Sequence, residues 1–260
     1  MKKIIIFIAG AILMMACGGK SAEEGISEAE GVEFDSIVVD TTVSLTSENG
    51  SPTAKLHLSL MFATRGEKIK EINDTLLHSG LVVPDYLSDT PKGTSPKAAL
   101  DTFLVRFASD YKRNYAPLYQ RDRENKSSYN VTLQCKATIR NFAEGIINYQ
   151  VETFNMAGGK YATQWTLSHN IDVKTGRIVS LDDIIDPTEE KELKKKMIEA
   201  MMEKYDCDNL EELREKGIFV GIEPYVTRNV IIKDGGLELI YVDSEIAPHD
   251  MGEIRVEVKR

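Results

Sequence analysis

The sequence predicts an α+β protein, mostly antiparallel sheet with helices inserted between hairpins. Three observations carry this expectation. Beyond residue 31, most segments alternate apolar with polar residues, the period of a strand with one face on a core. Two stretches instead space their apolar residues helically, Leu100 to Tyr111 and Leu193 to Tyr205. Clusters of Gly, Asn, Asp and Pro fall between the runs, where turns are needed.

The elements follow in order. Residues 18–31 are Gly, Ser, Ala and Glu with little apolar content, the composition of a flexible tether. Ile37, Val39, Val43 and Leu45 line one face of a first strand. Ala54, Leu56, Leu58, Leu60 and Phe62 line a second, and Glu48-Asn49-Gly50-Ser51-Pro52 between them makes a hairpin turn. The polar segment 85–97 ends in Ser95-Pro96, an N-cap followed by proline at the first helical position. An amphipathic helix near 95–115 follows, carrying Leu100, Phe103, Leu104, Phe107 and Tyr111. Residues 120–128 read as solvated linker.

Strands then resume. Val131, Leu133, Cys135, Ala137 and Ile139 alternate with Thr132, Gln134, Lys136 and Thr138, which places Cys135 as a buried thiol. Ile146 to Met156, the Gly158-Gly159 turn, and a strand with Trp165, Leu167, His169, Ile171 and Val173 on its apolar side come next. Lys174-Thr175-Gly176 turns the chain into Ile178–Leu181, and Pro187 opens a charged helix near 187–205. A short helix near Leu210 and Leu213, a hairpin through Asp234-Gly235-Gly236 and a closing strand with Ile254, Val256 and Val258 complete the chain. The linker divides it into a strand-strand-helix unit at 32–120 and an α+β unit at 129–260. The first is small enough that the two should share a core.

The N-terminus carries a separate message. Lys2 and Lys3 precede an apolar run from Ile4 to Met15, and Ala16-Cys17 follow. The run is shorter than the roughly 20 residues of a membrane-spanning helix, so it reads as a signal peptide at 1–16. Leu13-Met14-Met15-Ala16-Cys17 resembles a lipobox, which makes Cys17 the acylated first residue of the tether at 17–31. Several acyl chains, palmitate among them, anchor durably where one binds only marginally. Gly18 after the cysteine directs the lipoprotein to the outer membrane, and Lys20-Ser21-Ala22-Glu23-Glu24 is similar to short acidic surface-export signals.

Loss of Lys2 and Lys3 leaves 30 basic against 41 acidic residues, so the net charge moves from −9 to −11. Such a chain is unsuited to nucleic acid and attracts basic partners. Cys135 and Cys207 could pair in an oxidising compartment, though their spacing does not say so. No metal-ligand spacing, no cofactor fingerprint and no nucleophile elbow occurs. His57 falls on a polar strand face without an acidic neighbour at a telling spacing, and His78 and His249 fall in loops. His169 reads as a core histidine donating one hydrogen bond. Asp182, Asp183 and Asp186 lack the spacing of a calcium loop and fit better as partners of the helix opening at Pro187. Met197, Met201 and Met202 read as core rather than as a binding groove.

Two stretches carry a family resemblance. One is Gly158-Gly159 followed by Asn170–Ile185, with its Lys174-Thr175-Gly176 turn and Leu181-Asp182-Asp183 step. The other is Gly236–Pro248, containing Tyr241 and Glu245-Ile246-Ala247-Pro248, closed by Gly252-Glu253-Ile254. In this order they resemble the family called domain of unknown function 3298. Residues 32–156 are similar to its usual partner, domain 4163. Relatives include the extracellular domain of lysozyme-sensing anti-sigma factors and an accessory domain of peptidoglycan deacetylases. The resemblance implies a non-catalytic module facing the cell wall, with a lysozyme-like muramidase or peptidoglycan as partner. A hydrolase of wall fragments and a structural part of an outer-membrane assembly are the alternatives. Lys160-Tyr161 stand where the family often has Ala-His, so no role of that histidine carries over.

Overall fold

The computed structural model describes residues 28–158 and 162–259. The expected signal peptide at 1–16, Cys17 and most of the expected tether lie outside them. The chain builds two sheets, and the expected α+β class is what the structure shows. The larger sheet holds seven strands side by side in chain order. These are β1 (Glu28–Ala29), β2 (Val32–Ser44), β3 (Thr53–Arg65), β4 (Val131–Ala143), β5 (Ile146–Ala157), β6 (Ala162–Asp172) and β7 (Arg177–Val179). Neighbours are antiparallel except β3 and β4, which run parallel.

A parallel pair needs a crossover long enough to hold helices. Here it holds α1 (Ile69–Leu77) and α2 (Pro96–Arg121), which cover one face of the sheet. Ser95 caps α2 by accepting from the Ala98 amide, and Pro96 is its first residue. Leu100, Phe103, Phe107 and Tyr111 meet Leu56, Leu58, Leu60, Leu133, Ile139, Ile147 and Val151 in a core that leaves these side chains almost fully buried. Cys135 lies within that core as a free thiol, pushed up to about 11 by burial.

The second sheet is built after residue 180. It comprises β8 (Val230–Lys233), β9 (Gly236–Tyr241) and β10 (Ile254–Lys259), all antiparallel, with β9 in the centre. Before it come α3 (Leu181–Ile184), α4 (Glu190–Tyr205) and α5 (Leu210–Glu215). Leu193, Met197 and Met201 of α4 pack on Leu237, Leu239, Tyr241, Ile254, Val256 and Val258. The small sheet's other side lies against the face of the large sheet that α1 and α2 leave open, giving four layers: helix, sheet, sheet, helix.

Five expectations are corrected. Residues 120–128 are not simply a solvated linker: α2 runs past Pro117 to Arg121, a single helical turn at Lys126–Tyr129 leads straight into β4, and the segments on either side contribute to one core. Tyr111, Tyr115 and Tyr119 form one aromatic stack with Tyr129, which holds this end of the helix in place. The change of core falls instead between Ile171 and Leu181. Glu28–Ala29, expected within the tether, instead form β1 against β2, and α1 is not foreseen from the sequence because its nine residues bury only Ile72, Leu76 and Leu77, too few to display a period. The helix predicted from Pro187 starts at Glu190, and Asp186 accepts from the Thr188 amide and hydroxyl in a turn before it. Finally, the apolar side of β6 is its less buried side. Thr166, Ser168 and Asn170 are 8 %, 3 % and 2 % exposed, because the small sheet covers the polar face.

Candidate binding cleft

The two sheets meet through polar groups. β8 is one of the two edge strands of its sheet, and an edge leaves backbone groups that need partners. Asn170 of β6 supplies them. Its amide nitrogen donates to the Val230 carbonyl at 2.9 Å and its oxygen accepts from the Ile232 amide at 2.9 Å. Ser168 donates to the Val230 carbonyl at 3.2 Å, and Asn148 donates to Asn170 at 3.1 Å. Asn229 closes the other end, accepting from the Ser168 amide and donating to the Thr166 carbonyl. Among the described residues, no buried side-chain nitrogen or oxygen is left without a partner, as a polar interface requires.

Beyond this seam the sheets diverge and enclose a cleft of about 880 Å³. Its floor is the open face of the large sheet: Lys136, Thr138 and Arg140 from β4, Gln150, Glu152 and Phe154 from β5, Gln164 and Thr166 from β6. Strand register sets Lys136 opposite Glu152, and Glu152 opposite Thr166. Its roof is the small sheet: Ile231, Lys233, Glu238, Arg255 and Glu257, with Asp243, His249 and Gly252 at the loop end. The Asp234-Gly235 turn fixes the roof, since the Asp234 amide donates to the Phe142 carbonyl at 2.8 Å.

The roof is a closed ionic network. Lys233 lies 2.6 Å from both Glu238 and Glu257. Arg255 reaches Glu253 at 2.7 Å and Glu238 at 3.4 Å. Burial alone would lower the pKa of Lys233, yet Glu238 and Glu257 outweigh it and raise it above its ordinary value. Arg255 shows the same balance, burial being outweighed by Glu253 and Glu238. The hydrogen bond from Lys233 holds Glu257 below the usual carboxylate range. Glu253 also accepts from the Thr166 amide at 2.9 Å, so it ties roof to floor.

The floor is more open. Lys136 is exposed and has no ion-pair partner among the described residues. Phe142 and Phe154 are half-buried, with Lys233 5.2 Å above the Phe142 ring. Gln164 donates to Glu152. At the mouth, Asp243 sits 2.5 Å from His249. The cleft therefore offers a ligand the Lys136 cation, two aromatic faces and hydrogen-bonding side chains, while its roof charges are already satisfied by one another.

The residues singled out in the sequence take mostly structural places. His169 donates through its Nε2 to the Ser79 carbonyl at 2.9 Å, the role expected of it. His78 bonds main-chain carbonyls of Asp74 and Thr90. His57 does have an acidic neighbour, Asp40, brought directly opposite by the β2–β3 register at 2.6 Å. Asp183 accepts from the Ser180 amide and hydroxyl at the start of α3, and Asp182 pairs with Arg228 at 3.1 Å. No group of three or more metal-ligating side chains lies together among the described residues. Cys135 and Cys207 are both free and belong to different cores.

The motif residues build the frame. Gly176 approaches α1 so closely that a Cβ there would sit 2.7 Å from that of Glu71, and its carbonyl accepts from Thr75. Glu245 accepts from the Val242 amide at 2.7 Å and from the Tyr225 hydroxyl at 2.6 Å, which shapes the loop carrying Asp243 and His249. Tyr241 is buried and donates to the Tyr225 carbonyl. The roof cluster of Lys233, Glu238 and Arg255 is not visible in the sequence. The alternation of Glu253, Arg255 and Glu257 does mark a polar face, but not what that face meets.

Residues 182–260 match the family model described as "Protein of unknown function (DUF3298)". No curated protein matches the chain. A solved member of the DUF3298 family from Bacteroides fragilis is similar over 89% of this chain and 92% of its own, with TM-score 0.79 and 20% identity. A DUF3298 family protein from Pseudomonas aeruginosa covers 88% of this chain and 90% of its own, with TM-score 0.55 and 14% identity. No catalytic family is among these matches. The matched segment holds α4, α5 and the whole small sheet, including the Tyr241–Gly252 stretch, whereas the Gly158 turn and the Thr175-Gly176 turn precede it. Residues 182–260 are thus similar to the DUF3298 model, and the chain shares the fold of solved DUF3298 proteins.

Proposed function

We propose that this protein is a lipid-anchored, non-catalytic binding module of the cell envelope that holds a wall glycan in the cleft between its sheets. The observation that carries the reading is the cleft floor. A glycan presents apolar ring faces and dense hydroxyls, and Phe154 and Phe142 flanked by Gln164, Thr138 and Glu152 offer a partner for each. A muropeptide-bearing strand adds carboxylates, and Lys136, without an ion-pair partner among the described residues, is a cation to meet them. The anchor in this reading is acylated Cys17 after removal of residues 1–16, which puts the module on the outer membrane. The resemblance of residues 32–156 to domain 4163, and of the whole to the sensing domain of lysozyme-responsive anti-sigma factors, points to the same surroundings.

The test is calorimetry of the soluble domain with purified peptidoglycan fragments. Phe154→Ala and Lys136→Glu should each weaken binding at least about tenfold, or 1.4 kcal/mol, without lowering the unfolding midpoint. Unchanged affinity in both variants removes the cleft as the site. The strongly acidic balance favours a second reading, a basic muramidase as partner.

A further inference from the structure

A second hollow, of about 820 Å³, lies where α1, the loop before α2 and the β6–β7 turn meet. It shares no lining residue with the cleft between the sheets. Three segments far apart in sequence supply its charged groups. Lys68, Glu71 and Asp74 come from α1 and the residue before it, Lys92 from the loop, and Lys174 and Arg177 from the turn.

α1 holds the other two segments in place. The Asp74 carboxylate accepts from the Gly93 amide at 2.8 Å, and His78 lies 2.8 Å from the Thr90 carbonyl. The loop carrying Lys92 is thereby tied to the helix. On the other side the Thr75 hydroxyl donates to the Gly176 carbonyl at 2.5 Å, and Gly176 packs on Glu71 and Ile72. Asp172 shapes the turn itself, accepting from the Thr175 amide and hydroxyl at 2.7 and 2.9 Å. Lys174 and Arg177 therefore stand on a braced turn beside the helix.

The charges gathered here do not cancel. Glu71 pairs with Lys68 at 3.5 Å, and Asp74 is engaged by the Gly93 amide. Lys92, Lys174 and Arg177 are exposed and have no ion-pair partner among the described residues. On a chain of net charge −9, three uncommitted cations around one hollow are a place for an anion. Lysine offers a point charge and arginine a planar fork, a combination that suits phosphate oxygens. A single phosphate would fill only part of the hollow and leave cations unmatched.

We propose that this hollow binds an anion carrying two or more phosphate groups, held by Lys92, Lys174 and Arg177. The site is separate from the cleft and stands whether or not the cleft holds glycan. A soluble diphosphate and a lipid headgroup present the same groups, so two probes separate the sources.

Calorimetry of the full chain in detergent, with pyrophosphate and with cardiolipin dispersed in the same detergent, tests it. Binding of at least one probe is expected, weakened at least about tenfold by Lys174→Glu and by Arg177→Glu. Lys112→Glu makes the same charge change on an exposed residue of α2 outside the hollow, and it should leave the affinity unchanged. Hydrogen exchange should slow on binding within residues 68–78, 90–93 and 174–178. Pyrophosphate binding assigns a soluble ligand, and binding of cardiolipin alone assigns a headgroup. Failure of both probes overturns the proposal. So does an equal loss in Lys112→Glu, which would mean attraction by charge at large, or citrate binding as tightly as pyrophosphate, which would mean a carboxylate site.

Discussion

Single residues in this protein are placed by what their neighbours leave unsatisfied. His169 stands on the apolar side of β6 and gives its one neutral donor to the Ser79 carbonyl. Burial depresses its pKa below the ordinary 6.5, and the Ser79 bond opposes that without reversing it. A depressed folded-state value means that the unfolded chain takes the proton more readily. The stabilisation is therefore complete above the unfolded value and is lost as pH falls through the folded one. His169→Gln should flatten this part of the acid-side slope. Urea midpoints at about pH 7.5 and about pH 5 measure it, and equal slopes in the two proteins would show that another group titrates. Gly176 illustrates a different constraint, a backbone at φ 69 pressed on the start of α1, where any side chain must displace Glu71.

At the scale of elements, the informative contact is a side-chain amide serving as a backbone. Asn170 offers the edge of β8 a donor and an acceptor, so it docks one sheet on another much as a neighbouring strand would. Asn170→Ala leaves the Ile232 amide buried without its partner, while the Val230 carbonyl keeps only the Ser168 hydroxyl. The loss should be about 2 kcal/mol, given roughly 1–3 kcal/mol for a buried group left unpaired. Faster amide exchange should be confined to β8 and β9, with β4 around Cys135 still protected. Uniform destabilisation across both sheets would contradict a local docking role. This seam also explains why the polar face of β6 looks misleading in sequence: Thr166, Ser168 and Asn170 alternate as a solvent face does, yet they are more buried than Trp165 and Leu167.

The whole molecule is an acidic body, and that balance bears on the second functional reading. If a basic muramidase binds, a net charge of −9 on the chain should steer it. The on-rate should then fall steeply from low to physiological salt, where the Debye length is about 8 Å. Surface resonance against lysozyme at the two salt concentrations reads this directly. Absence of binding at low salt removes the muramidase and leaves the glycan. Binding that survives high salt keeps the partner and rejects steering as its cause. The strands other than β1, both long helices and the buried thiol were legible in the sequence because each is a local matter of period, cap and turn. Ala54, Leu56, Leu58, Leu60 and Phe62 can face only one core, and Ser95-Pro96 can open only one helix. The cleft was not legible, for its floor and roof lie more than sixty residues apart and each alone reads as a solvated face. Alternation tells which side of a strand is polar. Only tertiary structure decides whether water, a second sheet or a ligand will meet that side, because polar groups are satisfied equally well by any of the three.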